Sequence, residues 1–497
     1  MEVAGESRLR SHAPALAALA VLTVVGAALR IGELGQSLFG DELWSRAAAS
    51  SSGLGGVLDF VRSDQEITPP LFSILAWSAK RLGDAETLIR LPSLIVGIAL
   101  IPLVWMIGTR TVGNRAAIVG AALATLSPFL AFYSVEARSY SVAMAFAAAS
   151  TLAMLIAAER RSAWWWAAYA AFSCAAMYAH YTVAFVLIAQ LLWLLCRRPA
   201  VRKPALIANV GAAIAYLPWV PSLLDDVNSP SQDIIGFLAP FSFENVTNFT
   251  ASWSLGHPAG RLGDFWGTGL EIALFAGIGL GLAGTAIGAL ARNGTEREDA
   301  APDGFLLVVM IGLACPVGAA LVSLLAADQF LPRNLAASSV GLLLALAALL
   351  TRGPRFLWVP ATALVVAVFA VGAVRTTEPE WSRPDVGSAA AFIEEQTGPT
   401  DVVLDTLTPG GGGTLPIRET LGVEMTEPFQ RFAPQDLALA VEEARGARLA
   451  VVGPPLLVAG VAEAPELAEL TPVERRTFAG AADTEVAIYE VPAGGRD

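Results

Sequence analysis

Apolar residues fall in blocks of 16 to 24 along this chain, and that spacing restricts its fold more than any other feature. About 20 consecutive apolar residues cross the hydrocarbon core of a bilayer, whereas a buried helix of a water-soluble protein needs fewer. Such blocks occupy residues 13–30, 92–109, 116–132, 141–158, 164–180, 181–196, 205–223, 268–291, 304–326, 335–351 and 356–374. They predict an α-helical polytopic membrane bundle of about 11 transmembrane helices, and a chain that is 55% hydrophobic and 15% charged agrees. Between Ile67 and Leu82 the chain is also apolar, but Pro69, Pro70, Lys80 and Arg81 leave too short a run to cross. A juxtamembrane helix is expected there.

Basic residues gather in short loops on the cytoplasmic side of a membrane. With eleven spans, Arg8 and Arg10, Arg110 and Arg115, Arg160 and Arg161, Arg197, Arg198, Arg202 and Lys203, Arg292 and Arg297, then Arg352 and Arg355 all fall on one face. This places a multi-pass protein in the cell membrane with its N-terminus cytoplasmic and its C-terminal segment extracytoplasmic. The first span lacks a small-x-small cleavage site and reads as an uncleaved anchor. Cys174, Cys196 and Cys315 lie in or at the ends of spans and read as packing residues, with no disulfide framework.

Residues 1–375 form the expected membrane domain, with long extracytoplasmic loops at 31–91 and 224–267, where binding and catalysis tend to sit. A soluble extracytoplasmic α/β domain is expected over 376–497, with strands at Val402–Asp405, Leu449–Val452 and Glu485–Val491 and helices near Asp385–Glu395 and Pro434–Ala444. From Thr376 onward there are 21 Asp and Glu against 8 Arg, so the formal charge of −12 belongs to this tail and says little about a substrate. No feature supports nucleic-acid binding. Pro409 to Gly413 lacks the Lys-Ser or Lys-Thr of a phosphate loop and reads as a flexible loop.

Gly40-Asp41-Glu42 follows the first span by about ten residues, flanked by Leu38-Phe39 and Leu43-Trp44. Adjacent acids in a loop are common as a solvated pair. Apolar flanks hold these two near the bilayer surface, where partial desolvation makes a carboxylate a better base. Tyr133-Ser134-Val135-Glu136-Ala137-Arg138-Ser139-Tyr140 falls on the same face. Its Glu136 and Arg138 could close a tight loop or serve a substrate among Tyr and Ser donors. In Asp328 to Asn334, Arg333 suits an anionic phosphate or simple headgroup anchoring. His180, in Met177-Tyr178-Ala179-His180-Tyr181, could orient a substrate, though a lone His without a second at ligand spacing reads first as a structural one.

In this order, Phe39-Gly40-Asp41-Glu42, Thr68-Pro69-Pro70-Leu71-Phe72, Arg90-Leu91-Pro92-Ser93, Ser127-Pro128 with Tyr133 to Arg138, and Tyr178-Ala179-His180-Tyr181 resemble the GT-C membrane glycosyltransferases. The resemblance is to the group holding protein O-mannosyltransferases, the aminoarabinose transferase and lipopolysaccharide-core galacturonosyltransferase-like proteins. It covers residues 13–200 well, and beyond them mainly Leu331-Pro332-Arg333. Thr68 stands where many relatives have His, and Asn334 where an aromatic is common. The resemblance implies transfer of a sugar, hexosyl or pentosyl, from a polyprenyl-phosphate donor to a hydroxyl of an envelope glycan, lipid or protein acceptor, with inversion. It implies Asp41 as general base, with Glu42 and Glu136 positioning sugar or acceptor. Arg138 and Arg333 would neutralise the leaving phosphate, with Tyr140, His180 and Tyr181 lining the substrate site. Metal use varies among relatives, and a divalent ion could bridge Asp41 and Glu136 to phosphate. A transporter or flippase of lipid-linked sugars is the competing class, and it predicts charges deep in the spans. Here the acids cluster at one face instead.

Overall fold

In hydrocarbon every backbone N–H and C=O must be bonded within its own segment, so the apolar blocks become helices. The computed structural model describes residues 2–63, 66–229, 240–291, 302–407, 421, 422, 424–426 and 429–493. The Gly-rich run at 409–413 and the arginines at 292 and 297 lie outside these residues. Two compact units are present, one of Met1–Leu34 with Ala48–Thr376, the other of Gly35–Ala47 with Thr377–Asp497.

The first unit begins with α1 (Glu2–Gly32), and α2 (Asp41–Ala49) follows in the chain, with its start in the second unit. Two short helices, α3 (Leu54–Val61) and α4 (Leu71–Lys80), come next, and α4 is the expected juxtamembrane segment. Then come α5 (Leu91–Thr111), α6 (Asn114–Leu126), α7 (Pro128–Ser134), α8 (Tyr140–Arg160), α9 (Ala163–Ala179), α10 (Val183–Arg197), α11 (Arg202–Tyr216) and α12 (Val220–Val227). The unit closes with α13 (Phe243–Leu255), α14 (Leu262–Ala291), α15 (Pro302–Leu325), α16 (Pro332–Leu335), α17 (Ser339–Thr351) and α18 (Arg355–Arg375).

Among the described residues, eight helical segments are long and apolar enough to cross a membrane, and α6 with α7 adds a ninth as a broken span. The expected spans at 164–180 and 181–196 are α9 and α10, of 17 and 15 residues. At about 1.5 Å per residue these fall short of a full perpendicular crossing. The expected span at 116–132 is bent by 58° at Ser127. Pro128 cannot continue α6, and Ser127 starts α7 as its N-cap, its Oγ accepting from Leu130 N at 3.2 Å.

A fully buried arginine seals this break. Arg30 of α1 donates from Nη2 to Ala124 O (3.1 Å) and from Nη1 to Thr125 O (3.2 Å), carbonyls that the end of α6 leaves without helical partners. Its Nη1 also reaches Gly26 O, and its Nε donates to Ser134 Oγ at the far end of α7. Helix α5 closes over the same segment through Gly97, where a Cβ would sit 2.3 Å from Ser134 Oγ.

The second unit carries a five-stranded sheet in the order β2-β1-β3-β5-β4, with β1 (Val402–Asp405), β2 (Gln430–Phe432), β3 (Arg448–Gly453), β4 (Glu474–Phe478) and β5 (Thr484–Glu490). β1 runs parallel to β2 and β3, and β5 is antiparallel to β3 and β4. Alternate residues serve two cores: Val403, Ala450 and Val452 pack under α19 (Val386–Gln396), and Val402, Leu449 and Val451 under α20 (Leu437–Glu443) and α21 (Pro455–Ala462). The expected strands and two helices are present, while β2, β4 and α21 were not anticipated. Cys315 is buried, but Cys174 is half-buried and Cys196 exposed, so the packing role expected of all three holds for the first alone.

Candidate functional site

In the second unit, Gly40 takes φ +58°, a left-handed conformation that glycine adopts without a Cβ penalty, and the chain turns there into α2. Asp41 and Glu42 form the first turn of that helix, where free N–H groups favour negative charge. Glu42 is buried, accepts from Phe39 N (3.4 Å) and pairs with Arg383 Nε at 3.3 Å. Arg383 in turn donates to Gln36 Oε1, and Ser37 Oγ accepts from Gly387 N at 2.9 Å. Glu42 thus fixes the turn on which its half-buried neighbour Asp41 stands.

In the first unit, the segment after α7 gathers most of the other expected residues. Arg138 is buried and makes a two-pronged pair with Glu66, Nη1 to Oε2 at 2.6 Å and Nη2 to Oε1 at 3.0 Å. Glu66 Oε1 also accepts from Thr68 Oγ1 (2.7 Å), which ties the Thr-Pro-Pro segment to the pair. Ser93, from the start of α5, donates to Arg138 O (3.0 Å), and Glu136 stands half-buried two residues earlier.

His180 ends α9, buried, with Nδ1 2.9 Å from Thr182 Oγ1 and its ring 5.4 Å from that of Tyr140. Arg333 is half-buried in the first turn of α16, whose start Pro332 sets. Tyr140, two residues past Arg138, thus stands beside His180, and Glu66 joins them through its pair with Arg138.

Tyr181 does not join them. Its hydroxyl donates to Asp226 and accepts from Trp219 Nε1 (3.1 Å), in a cluster with α3. Glu66 was not singled out in the sequence; its one signal is its place two residues before Thr68-Pro69-Pro70. Among the described residues no group of three or more His, Cys, Asp or Glu side chains could hold a metal ion, so no step is assigned to the divalent ion considered above.

An arginine offers a planar fork of donors that suits a carboxylate or a phosphate, and in this structure Glu66 occupies the fork of Arg138.

A family model described as dolichyl-phosphate-mannose-protein mannosyltransferase matches residues 68–224, from the Thr-Pro-Pro segment through α12. The oligosaccharyltransferase of Archaeoglobus fulgidus, in a structure tethered to an acceptor peptide with an NVT sequon, has a TM-score of 0.53 at 11% identity, covering 94% of this chain and 73% of that one. ArnT from Cupriavidus metallidurans in the apo state gives 0.45 at 14% identity, over 96% and 98% of the two chains. The arabinofuranosyltransferase AftD from Mycobacteria gives 0.44 at 15% identity, over 96% and 42%. No curated protein sequence matches the chain.

Proposed function

We propose that this chain, a multi-pass membrane protein with the fold of the GT-C glycosyltransferases, transfers a sugar from a polyprenyl-phosphate donor to an acceptor hydroxyl on the extracytoplasmic face. The buried two-pronged pair of Arg138 with Glu66, beside Tyr140 and His180, carries the reading. When the bond between the anomeric carbon and the phosphate oxygen breaks, that oxygen keeps the electron pair and the lipid phosphate gains negative charge. Two fixed guanidiniums stabilise this charge as it develops, which lowers the barrier more than it tightens donor binding. Glu66 holds the plane of Arg138, and Tyr140 with His180 forms the floor beside it.

Asp41 takes the proton of the acceptor hydroxyl, whose oxygen attacks the anomeric carbon from the face opposite the phosphate. One displacement inverts the configuration. Glu136 orients sugar or acceptor, and the acceptor is an envelope glycan, lipid or protein. The family model matched over residues 68–224 supports the donor class, since its description names a dolichyl-phosphate sugar. The acidic turn at Asp41, held by Glu42 and Arg383, supports the base.

The test incubates the protein in nanodiscs with a panel of polyprenyl-phosphate sugars and follows donor cleavage. Wild-type turnover that falls at least a thousandfold in a folded Asp41→Asn variant is expected, at the upper end of the range for a general base with its share of positioning. Equal turnover by both proteins removes Asp41 from the role, and movement of intact donor across the bilayer replaces the transferase by a flippase.

A further inference from the structure

Beside α3 and α4 an apolar cavity of about 610 Å³ opens between α9 and α11. Arg62, Trp219 and Tyr178 form its head, and its foot lies at Ala171, Cys174 and Gly211. From Tyr178 to Ala171 the wall of α9 descends about 10 Å at helical rise, most of one hydrocarbon leaflet of about 15 Å. Arg62 is exposed, lies with its guanidinium 5.5 Å from the Trp219 ring centroid, and among the described residues forms no ion pair.

We infer that this groove is a binding site for one acyl chain of an anionic phospholipid, whose headgroup phosphate Arg62 holds. The lining is apolar and sits between membrane helices, so a lipid chain fills it more readily than water. A cation stacked on an indole at the same level as a tyrosine marks the interfacial zone where headgroups lie. An anionic headgroup complements Arg62, and a zwitterionic one offers it far less. The groove is distinct from the site of Glu66, Arg138 and His180. Tyr181, next to His180 in the chain, turns to Trp219 and Asp226 and puts bonded side chains along the groove's head. This inference stands apart from the proposed transfer reaction.

The test places the full chain in phosphatidylcholine nanodiscs doped with phosphatidylglycerol bearing a diazirine at one acyl terminus, then maps adducts by mass spectrometry. Adducts on the peptides of α9 and α11 are expected, about fivefold fewer with Arg62→Gln and about fivefold fewer with a phosphatidylcholine probe. Ala171→Phe, which fills the foot, abolishes them, and Arg62→Lys keeps most of them. Circular dichroism and size-exclusion profiles equal to wild type certify each variant. Equal labelling by both lipids, unchanged labelling in Arg62→Gln, or adducts elsewhere overturns the inference. Displacement of the probe by equimolar polyprenyl phosphate also overturns it, by giving the groove to a donor lipid.

Discussion

Glu66 and Arg138 face each other across two parallel hydrogen bonds of 2.6 and 3.0 Å, both side chains buried and 72 positions apart. Removing one partner of such a pair leaves an uncompensated buried charge, which costs more than the pair gains. Glu66→Ala is expected to destabilise the membrane unit by about 3 kcal/mol. Glu66→Gln also removes the compensating charge but keeps the shape and one acceptor oxygen, so it is expected to cost less stability than Glu66→Ala while loosening the guanidinium plane. Its donor turnover is expected to fall about tenfold with the donor KM changed less than twofold, as for an interaction made mainly in the transition state. Thermal scanning in detergent and single-turnover assays separate the two outcomes.

Arg333→Lys tests whether two forks are needed. A lysine keeps the charge but loses the planar, two-pronged geometry. Turnover about tenfold below wild type, with a donor KM rising by a smaller factor, is the expected result. A lysine variant as active as wild type would reduce Arg333 to a source of charge.

Gly97→Ala brings a methyl group to within 2.3 Å of Ser134 Oγ and 3.1 Å of Ser134 Cα. Because backbone stands among the clashing atoms, α5 and α7 must part, at a cost of about 1–3 kcal/mol. Ser134 accepts from Arg30 and lies four residues before Arg138, so the variant is expected to lose donor turnover as well as thermal stability. Alanine at Gly279, where a Cβ meets nothing within 4 Å, is the matched control and leaves both unchanged.

Asp405 gives the second unit a pH dependence. Burial pushes its carboxyl up to about 7, against smaller opposing effects from Leu407 N–H and the Arg431 guanidinium. The native state therefore holds a proton that the unfolded chain has released between about pH 4 and 7, and stability falls as pH rises through that window. Hydrogen exchange of the β1 and β3 peptides, in the full chain, is the measurement. Asp405→Asn, which mimics the protonated form, is expected to protect these strands better than wild type at pH 8, with the difference shrinking as pH falls and vanishing below about pH 4.

What could be read from the residues depended on how local the cause was. Val402–Asp405 is a short apolar run buried on both faces, and its strand was evident with its bounds. Glu474–Phe478 is an edge strand with its first four residues exposed, so its Glu-Arg-Arg sequence carries no burial pattern to read. Ser127-Pro128 held the signal for a helix break, but the apolar run continues through it and suggested one straight span. At the site, Tyr140 and His180 were singled out from the residues and their rings stand 5.4 Å apart. Glu66 escaped notice because its meaning lies in a partner far along the chain, and Tyr181 looked like a neighbour of His180 because adjacency in sequence says nothing of which way each side chain turns.

Arg30 also bears on how the protein is assembled. Its carbonyl acceptors at Ala124 and Thr125 and its hydroxyl acceptor at Ser134 are made 94 to 104 residues after it. Until α6 and α7 are made, the acceptor for this cation within its own helix is Gly26 O, and a charge so poorly compensated is costly in hydrocarbon. When these bonds form, the N-terminal span is tied to the broken helix of α6 and α7, and the pairing of the cation and the capping of the break are completed together.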